Sequence, residues 1–272
     1  MNAPHENLVD ALGTIHLPAP DARIVSLVPS ITELLCDLGL AHLLVGRTGF
    51  CIHPAEVVAA IPKVGGTKDV NLEKIRKLAP THVILNIDEN EKPTADALAA
   101  FVPHLVVTHP VAPRDNLALA RLMGGIFGAQ VQAEAWCAQF EAEYAALKAE
   151  RAGPARTVLY CIWQDPWMSI SSDTYIARML GELGWNLPDL PAQLSDPSRY
   201  PRFAWSDELV GQLDAVLLST EPYRFTEAHA DALEKQLGIP VLLVDGEMMS
   251  WYGSRALAGL RYLRQLRAMV DG

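Results

Sequence analysis

The chain has 272 residues, of which 50% are hydrophobic, and its formal net charge is −10 at pH 7. This length suits one large domain or two domains of ordinary size. The excess of carboxylates, without a long run of lysine or arginine, argues against a nucleic-acid or anionic-membrane surface. The longest apolar runs have the length of a strand and fall short of the ~20 residues that span a membrane, so no membrane insertion is expected.

The N-terminus and the cysteines give information about the compartment. Residues 1–10 contain no basic segment followed by an apolar one, so no secretory signal is visible. We therefore expect either a cytoplasmic chain or one whose export sequence has been removed or replaced. The four cysteines show no CxxC or other metal-type spacing, and a disulfide framework is not expected. Three of them lie in apolar segments and are expected to be buried, namely Cys36, Cys137 and Cys161.

Strands and helices alternate in the N-terminal part. Residues 23–29 predict a strand, and Ser30 followed by Glu33 has the capping-box pattern for a helix that ends at Gly39. The next predicted elements are a strand at 43–46, a short helix to Ala60, a helix from Asn71, a strand at 82–86, a helix over 94–101 and a strand at 105–107. This alternation predicts an α/β fold with a mostly parallel sheet and helices on both faces.

A long helical segment follows. From Asp115 to Arg151 there is no proline, and the helical pattern is interrupted only by glycines between 124 and 128. This pattern predicts a helix to about residue 127 and a second, unbroken helix over 131–150. At 1.5 Å per residue the second helix is about 30 Å long. A helix of that length is a stiff connector, so only small lobe movement is expected.

The C-terminal part repeats the alternation of strands and helices. Residues 157–162 predict a strand, and Asp173 is predicted to cap a helix over 174–183. Further elements are predicted as a helix after Ser206, a strand at 215–219, a helix over 226–237, a strand at 241–244 and a helix from about Arg255. The predicted organisation is an extension over 1–22, a lobe over 23–113, a connecting segment over 114–153 and a second lobe over 154–272.

One segment occurs in both halves. Residues 71–78 and 206–213 share an apolar pattern and each leads into a buried strand. The matching pairs are Glu73 with Glu208, Ile75 with Val210, and Leu78 with Leu213. A short helix that leads into a strand once in each half predicts two similar α/β lobes, with a ligand cleft between them.

The order of these segments resembles a known family. Residues 24–35 (IVSLVPSITELL), 64–66 (VGG) and 71–75 (NLEKI) are similar to the helical-backbone class, class III, of ABC-transporter substrate-binding proteins. These proteins bind cobalamin, haem and ferric siderophores, and the resemblance, which covers the chain from about residue 22, is closest to the cobalamin-binding branch. It implies two Rossmann-like lobes joined by one long backbone helix. It also implies a monomer that has no intrinsic cofactor, takes a metal chelate as its ligand, and is periplasmic.

The same resemblance assigns a role to the duplicated glutamates. In this family one surface glutamate of each lobe binds an arginine pocket of the permease dimer, and the matching positions here are Glu73 and Glu208. A carboxylate can form charge-assisted, bidentate bonds to arginine. From the residues alone, each glutamate could equally serve only to stabilise the first turn of a helix through the helix dipole.

Ligand contacts are expected from the loops that follow the carboxyl ends of the strands. The predicted contacts are Pro29, Ser30, Phe50, Cys51, Asn86 and Glu89 in the first lobe and Trp163, Trp167, Tyr223, Met248, Trp251, Tyr252 and Arg255 in the second. The aromatic bias suits a large, flat, partly apolar ligand, although these rings could instead pack under long loops. Arg255 could bind a ligand carboxylate or pair with Asp245. Cys51 and His53 could ligate a metal, but they lack further ligands at usable spacing, and no metal site is predicted.

No catalytic motif is present: the sequence contains no GxSxG, P-loop or HExxH, and no GxGxxG follows the first strand. The chain is therefore predicted not to be an enzyme. The predicted function is capture of a corrinoid or a related metal chelate for delivery to an ABC importer. The alternative is a cytoplasmic sensor, carrier or interaction protein for such chelates on the same scaffold. The sequence leaves cobalamin, haem and siderophores open as ligands.

Overall fold

The computed structural model describes residues 8–150, 153–190 and 199–271. These residues form two compact units. The first unit, lobe one, holds the described residues up to Pro110 together with Arg114–Phe140 and Tyr252–Ser254. The second unit, lobe two, holds Val111–Pro113, the described part of Glu141–Trp251, and the chain from Arg255 onwards.

Lobe one contains a four-stranded sheet in the order β2-β1-β3-β4. Its strands are β1 (Ile24–Ser26), β2 (Leu44–Arg47), β3 (His82–Asn86) and β4 (His104–Thr108). Its helices are α1 (Pro29–Asp37), α2 (Ala55–Val58), α3 (Leu72–Leu78), α4 (Lys92–Ala99) and α5 (Asp115–Phe127). All three strand pairs are parallel, so the strands end at one edge of the sheet, the carboxyl edge.

The start of α1 differs from the prediction. The residue preceding the helix is Val28, Pro29 occupies its first turn, and no side chain caps it. Proline fits the first helical position because it has no N–H to satisfy there and its φ is already helical. Ser30 therefore lies inside the helix with its side chain buried, and the predicted capping box of Ser30 with Glu33 was wrong.

Lobe two contains a five-stranded sheet in the order β6-β5-β8-β9, with β7 beside β5. Its strands are β5 (Arg156–Trp163), β6 (Met168–Ser169), β7 (Trp185–Asn186), β8 (Ala215–Ser219) and β9 (Val241–Val244). Its helices are α7 (Tyr175–Gly181), α8 (Asp207–Val210), α9 (Glu227–Leu237), α10 (Gly246–Ser250) and α11 (Arg255–Asp271). Only β6 is antiparallel, so the predicted α/β fold with mostly parallel sheets is confirmed.

Two helix boundaries predicted from the sequence can be compared with those of the structure. The unbroken connecting helix is confirmed as α6 (Gln130–Ala149), which begins in lobe one and ends in lobe two. The cap of α7 was wrong by one residue. Thr174, not Asp173, is the N-cap, and its hydroxyl accepts a hydrogen bond from the Ala177 N–H.

The repeated segment forms the same local structure twice. α3 precedes β3, and α8 precedes β8. The Asn71 side chain accepts the Lys74 N–H at 2.9 Å, and the Ser206 hydroxyl accepts the Leu209 N–H at 3.2 Å. Each cap therefore satisfies an N–H of the first helical turn that lacks a partner within the helix. The glutamates that follow each cap, Glu73 and Glu208, are both the second residue of their helix, and both are exposed.

Each lobe has its own apolar core. In lobe one the buried strand residues include Val25 and Val83, and in lobe two they include Leu159 and Val216. Burial of a parallel sheet on both faces explains why the central strands are continuous apolar runs in the sequence. None of the helices in the described ranges is long and apolar enough to cross a membrane.

We predict that His82 makes the fold sensitive to acid. Burial, together with neighbouring His104 and His16, lowers the pKa of His82 from 6.5 to about 4. The unfolded chain then binds a proton that the folded chain does not, so stability is lost as the pH falls from about 6.5 to about 4. Urea unfolding at pH 7.5 and pH 5 should show a loss that His82→Phe reduces by on the order of 1–2 kcal/mol.

The control for this prediction is His42→Gln, which removes an exposed histidine. That variant should keep the pH dependence of the original chain. The assignment to His82 would be wrong if His82→Phe and the original chain lost equal stability between the two pH values.

Candidate functional site

A buried arginine shapes the loop between β2 and α2. Arg47 is only 5% exposed, and its guanidinium donates to the carbonyls of Val58, Thr48 and Cys51 at 2.7, 3.1 and 3.0 Å. A buried guanidinium is costly unless its donors are satisfied, so these bonds fix the loop in one conformation. The fixed loop presents Phe50, whose side chain is 61% exposed. This role of Arg47 was not predicted from the sequence.

Cys51 lies beneath the same loop and not on its surface. The residue is fully buried, and its Sγ lies 3.1 Å from the hydroxyl oxygens of Thr32 and Thr48. Burial raises the pKa of the Cys51 thiol, which disfavours the thiolate that a metal site needs. Throughout the described ranges there is no group of three or more His, Cys, Asp or Glu side chains placed to hold a metal ion. His53 does not cap α2, whose N-cap is Pro54.

The loop between β3 and α4 is also held from within. Asn86 is 2% exposed, and its side-chain oxygen accepts the N–H groups of Asp88 and Glu89 at 2.8 and 3.3 Å. Its amide nitrogen donates to the Thr108 hydroxyl on the neighbouring strand β4 at 3.4 Å. Asn86 therefore positions the loop that carries Glu89, which is half-buried.

Two exposed aliphatic side chains at the carboxyl edge of lobe one were missed by the sequence analysis. Ile52 is 49% exposed and follows Phe50 in the loop after β2, and Ile87 is 44% exposed and directly follows β3. Exposed apolar side chains grouped on one face often mark a binding surface. The position of Ile87 immediately after a buried strand was the signal that could have identified it.

The aromatic residues of lobe two fall into two groups. Trp167 stacks on Phe225, with ring centroids 5.9 Å apart and planes within 9°, and contacts Trp205 edge-on at 5.4 Å. Trp167 and Trp205 are partly buried against the core. These two rings therefore pack under the loops, which was the alternative to ligand contact. Trp163 differs, because it is 40% exposed and meets the edge of Tyr223 at 5.4 Å.

Trp251 is held by a half-buried carboxylate and by a cation. Glu221 accepts hydrogen bonds from the Trp251 indole N–H at 2.9 Å and from the Ser250 hydroxyl at 2.8 Å. The Arg255 guanidinium lies 4.9 Å from the centroid of the Trp251 ring and pairs with Glu247 at 2.7 Å. The structural pairing considered for Arg255 therefore exists, but with Glu247 in place of Asp245. Asp245 instead caps α10.

Tyr252 belongs to lobe one. Its hydroxyl donates to the carboxylate of Glu89, and the adjacent Gly253 N–H donates to the side-chain oxygen of Asn116. Burial and the Glu89 carboxylate raise the pKa of Tyr252 well above its usual value of 10.0, while the Ser30 hydroxyl acts in the opposite direction. Tyr252 therefore stays a neutral hydrogen-bond donor.

The structure distributes the predicted ligand residues over three classes of exposure. Phe50 and Trp163 are exposed. The half-buried residues are Pro29, Glu89, Trp167, Tyr223, Met248, Trp251 and Arg255. The buried residues are Ser30, Cys51, Asn86 and Tyr252. The residues of the first two classes expose side-chain surface, whereas those of the third are enclosed by the chain.

The exposed glutamates of α3 and α8 can contact a partner. The Glu73 side chain is 77% exposed, and its carboxylate lies 3.7 Å from the guanidinium of Arg76. An exposed pair one helical turn apart is weak and exchanges readily for a better partner. Glu208 is exposed in the first turn of α8.

Comparison with known proteins gives one family match. Residues 24–193 match the family described as "Periplasmic binding protein". No curated protein matches the chain by sequence.

Solved structures resemble the chain over most of its length. The periplasmic heme-binding protein RhuT from Roseiflexus sp. RS-1 in apo form has 24% identity and a TM-score of 0.72, covering 92% of this chain and 98% of that one. The periplasmic vitamin B12 binding protein BtuF of Vibrio cholerae has 16% identity and a TM-score of 0.73, with 93% and 99% covered. The periplasmic heme binding protein HutB of Vibrio cholerae has 20% identity and a TM-score of 0.71, with 93% and 100% covered. At these identities the likeness establishes the fold.

We predict that Glu221 makes the environment of Trp251 depend on pH. Burial raises the pKa of Glu221 above its usual value of 4.5. As the pH falls, Glu221 therefore takes up a proton earlier than an exposed glutamate, and the hydrogen bond from Trp251 loses its charged acceptor. Tryptophan fluorescence titrated from pH 8 to pH 4 should show a transition above 4.5 that is absent in Glu221→Gln.

A Trp251→Phe variant is the control, since it removes the reporter and should abolish the same transition. Persistence of the transition in either variant would show that another group causes it.

Proposed function

The chain belongs to the periplasmic binding protein family, whose match spans more than half of it, and we propose that it captures a corrinoid such as cobalamin, or a related metal chelate, for delivery to an ABC importer. The observation that carries this proposal is the exposed apolar surface at the carboxyl edge of lobe one, together with exposed Trp163 in lobe two. The fold is shared with proteins named for binding heme and vitamin B12, which supports a chelate of that size.

The chemistry of the edges suits a large ligand with apolar faces and few charges. In lobe one the exposed apolar groups are Phe50, Ile52 and Ile87, and the exposed carboxylate next to them in the chain is Asp88. In lobe two, Trp163 offers a partly exposed indole, and Trp251 is half-buried between a carboxylate and a guanidinium. Rings present apolar area with few torsions to immobilise, so contacts with them cost little entropy.

Binding in this proposal needs no covalent step. Shape, ring contacts and a few hydrogen bonds hold the ligand, and the buried polar residues Arg47 and Asn86 only fix the loops. We propose on this basis that the chain acts as a binding protein and catalyses no reaction.

The two exposed glutamates are the proposed permease contacts. Glu73 and Glu208 follow equivalent caps and occupy the second position of equivalent helices. Each presents a carboxylate that can bind the guanidinium of a partner arginine in a charge-assisted, bidentate geometry. One such contact from each lobe allows the permease to recognise the whole molecule.

The ligand is tested by titration with cyanocobalamin, haemin and a ferric siderophore, followed by quenching of tryptophan fluorescence. One of the three should quench saturably. Phe50→Ala and Trp163→Ala should each weaken binding about fivefold, since loss of one ring contact is worth ~1 kcal/mol. Leu17→Ala is a matched control, because Leu17 is 78% exposed and lies outside the two edges. Failure of all three chelates to quench would contradict the proposal.

The docking role is tested with the double variant Glu73→Ala and Glu208→Ala. Association with the cognate permease in nanodiscs should weaken at least tenfold, because two charge-assisted contacts are lost, each worth about 1.5–3 kcal/mol when buried in the complex. Ligand affinity should not change. Glu227→Ala is the control, because it removes an exposed glutamate from the first turn of α9.

The control separates docking from helix stabilisation. If the glutamates acted only on the helix dipole, all three substitutions would lower the melting temperature alike and leave permease association intact. Loss of ligand binding in the double variant would also contradict the assignment. Fractionation of the native host distinguishes delivery to an importer from the cytoplasmic sensor or carrier that the sequence also allows.

A further inference from the structure

A three-residue segment between α10 and α11 is bonded to lobe one, although both helices belong to lobe two. This segment, Tyr252–Ser254, is called the strap here. It is preceded by Trp251 and followed by Arg255, which are two of the proposed ligand contacts in lobe two. A contact that fixes the strap therefore also restrains the neighbouring backbone of Trp251 and Arg255.

Two hydrogen bonds fasten the strap. The Tyr252 hydroxyl donates to the carboxylate of Glu89 in the loop after β3. Tyr252 and Glu89 are 163 residues apart in the chain. The Gly253 N–H donates to the Asn116 side-chain oxygen at 2.5 Å, and Asn116 is fully buried in α5. Tyr252 itself is only 7% exposed, so its bond to Glu89 forms where water competes little.

The backbone of the strap also lies unusually close to α1. Gly253 has a φ of +73°, which favours glycine. A Cβ at this position would lie 3.1 Å from the Ser30 carbonyl oxygen and 3.2 Å from the Leu34 Cβ. A side chain here would be strained by the conformation and crowded by both neighbours, so glycine suits this close approach of the strap to α1.

The acceptor of the Tyr252 hydrogen bond is itself held in place. The Glu89 N–H donates to the Asn86 side chain, which is tied to β4 through the Thr108 hydroxyl. A hydrogen-bonded path thus runs from the edge of the lobe-one sheet through Asn86 and Glu89 to Tyr252. These bonds fix the backbone of Glu89, and so limit the positions from which its carboxylate can accept the Tyr252 hydroxyl.

We propose that Tyr252 and Glu89 are positioning residues for ligand binding, which act by anchoring the strap and so orienting Trp251 and Arg255. The ligand part of this inference rests on the proposed function. Within lobe two, Trp251 and Arg255 are held by side-chain bonds to Glu221 and Glu247. The anchor adds a backbone constraint to these bonds, so the two side chains need less ordering when a ligand binds.

The test compares two tyrosine-to-phenylalanine variants that each remove a hydroxyl donating to a glutamate. Tyr252→Phe removes the bond of the strap. Tyr144→Phe removes the bond of Tyr144 to Glu182 at 2.9 Å, which involves no residue of the strap. Amide hydrogen exchange of residues 251–255 is measured on the ligand-free protein, and cyanocobalamin dissociation is measured by stopped flow.

Tyr252→Phe should accelerate exchange of residues 251–255 at least tenfold and cyanocobalamin release about tenfold, whereas Tyr144→Phe should change neither. Glu89→Gln, which keeps a carbonyl acceptor, should lie closer to the original chain than Glu89→Ala in both measurements. Gly253→Ala should behave like Tyr252→Phe, because the added Cβ displaces the strap.

Unchanged exchange in Tyr252→Phe, or equal acceleration in both tyrosine variants, would overturn the anchoring role. Accelerated exchange with unchanged cyanocobalamin release would overturn the link to binding. If the original chain does not bind cyanocobalamin, the proposed corrinoid ligand fails, while the exchange measurement on the ligand-free protein still decides whether the anchor exists.

Discussion

Parallel pairing of the central strands is the constraint on which the candidate site depends. In lobe one, β3 pairs in parallel with β1 and with β4, which places the loops after these strands at one edge of the sheet. In lobe two, β8 pairs in parallel with β5 and with β9, and the loops after them also lie at one edge. Residues that are far apart in the sequence thus become neighbours. Asn86 and Thr108 are 22 residues apart, yet they form a hydrogen bond because their strands end side by side.

Buried polar groups convert these loops into fixed surfaces. Arg47 binds three backbone carbonyls, and Asn86 binds two backbone N–H groups, so each satisfies groups that would be costly to bury alone. Both residues are nearly inaccessible, whereas the side chains they support, Phe50 and Ile87, are exposed. In the proposed binding role, affinity also depends on these buried residues, since they determine how much order is already present before binding.

The sequence predicted those parts of the fold whose signal is local. β3 was predicted with the observed bounds, because a continuous apolar run between turn residues is typical of a buried parallel strand. Asn71 and Ser206 were recognised at the start of their helices, since a polar cap before an apolar pattern is a local signal. Ser30 was wrongly predicted as the N-cap because the same rule ignores Pro29, where the helix starts two residues earlier than predicted.

The site was less predictable because its contacts are distant in the chain. β6 and β7 have two residues each and α10 has five, too few for any periodicity. The bond from Trp251 to Glu221 spans 30 residues, so the spacing in the sequence could suggest neither partner. The sequence therefore drew attention to the rings but could not identify Glu221, the carboxylate that binds the Trp251 indole.

The glutamates of the duplicated helices and the residues that anchor the strap differ in exposure and in hydrogen bonding. The carboxylates of Glu73 and Glu208 are exposed and weakly held, as suits groups that exchange partners. Tyr252 and Asn116 are buried and bonded to fixed partners, as suits groups that must not move. Because an exposed charge contributes little to stability and a buried hydrogen bond contributes more, substitution of these glutamates should cost the fold less than substitution in the strap.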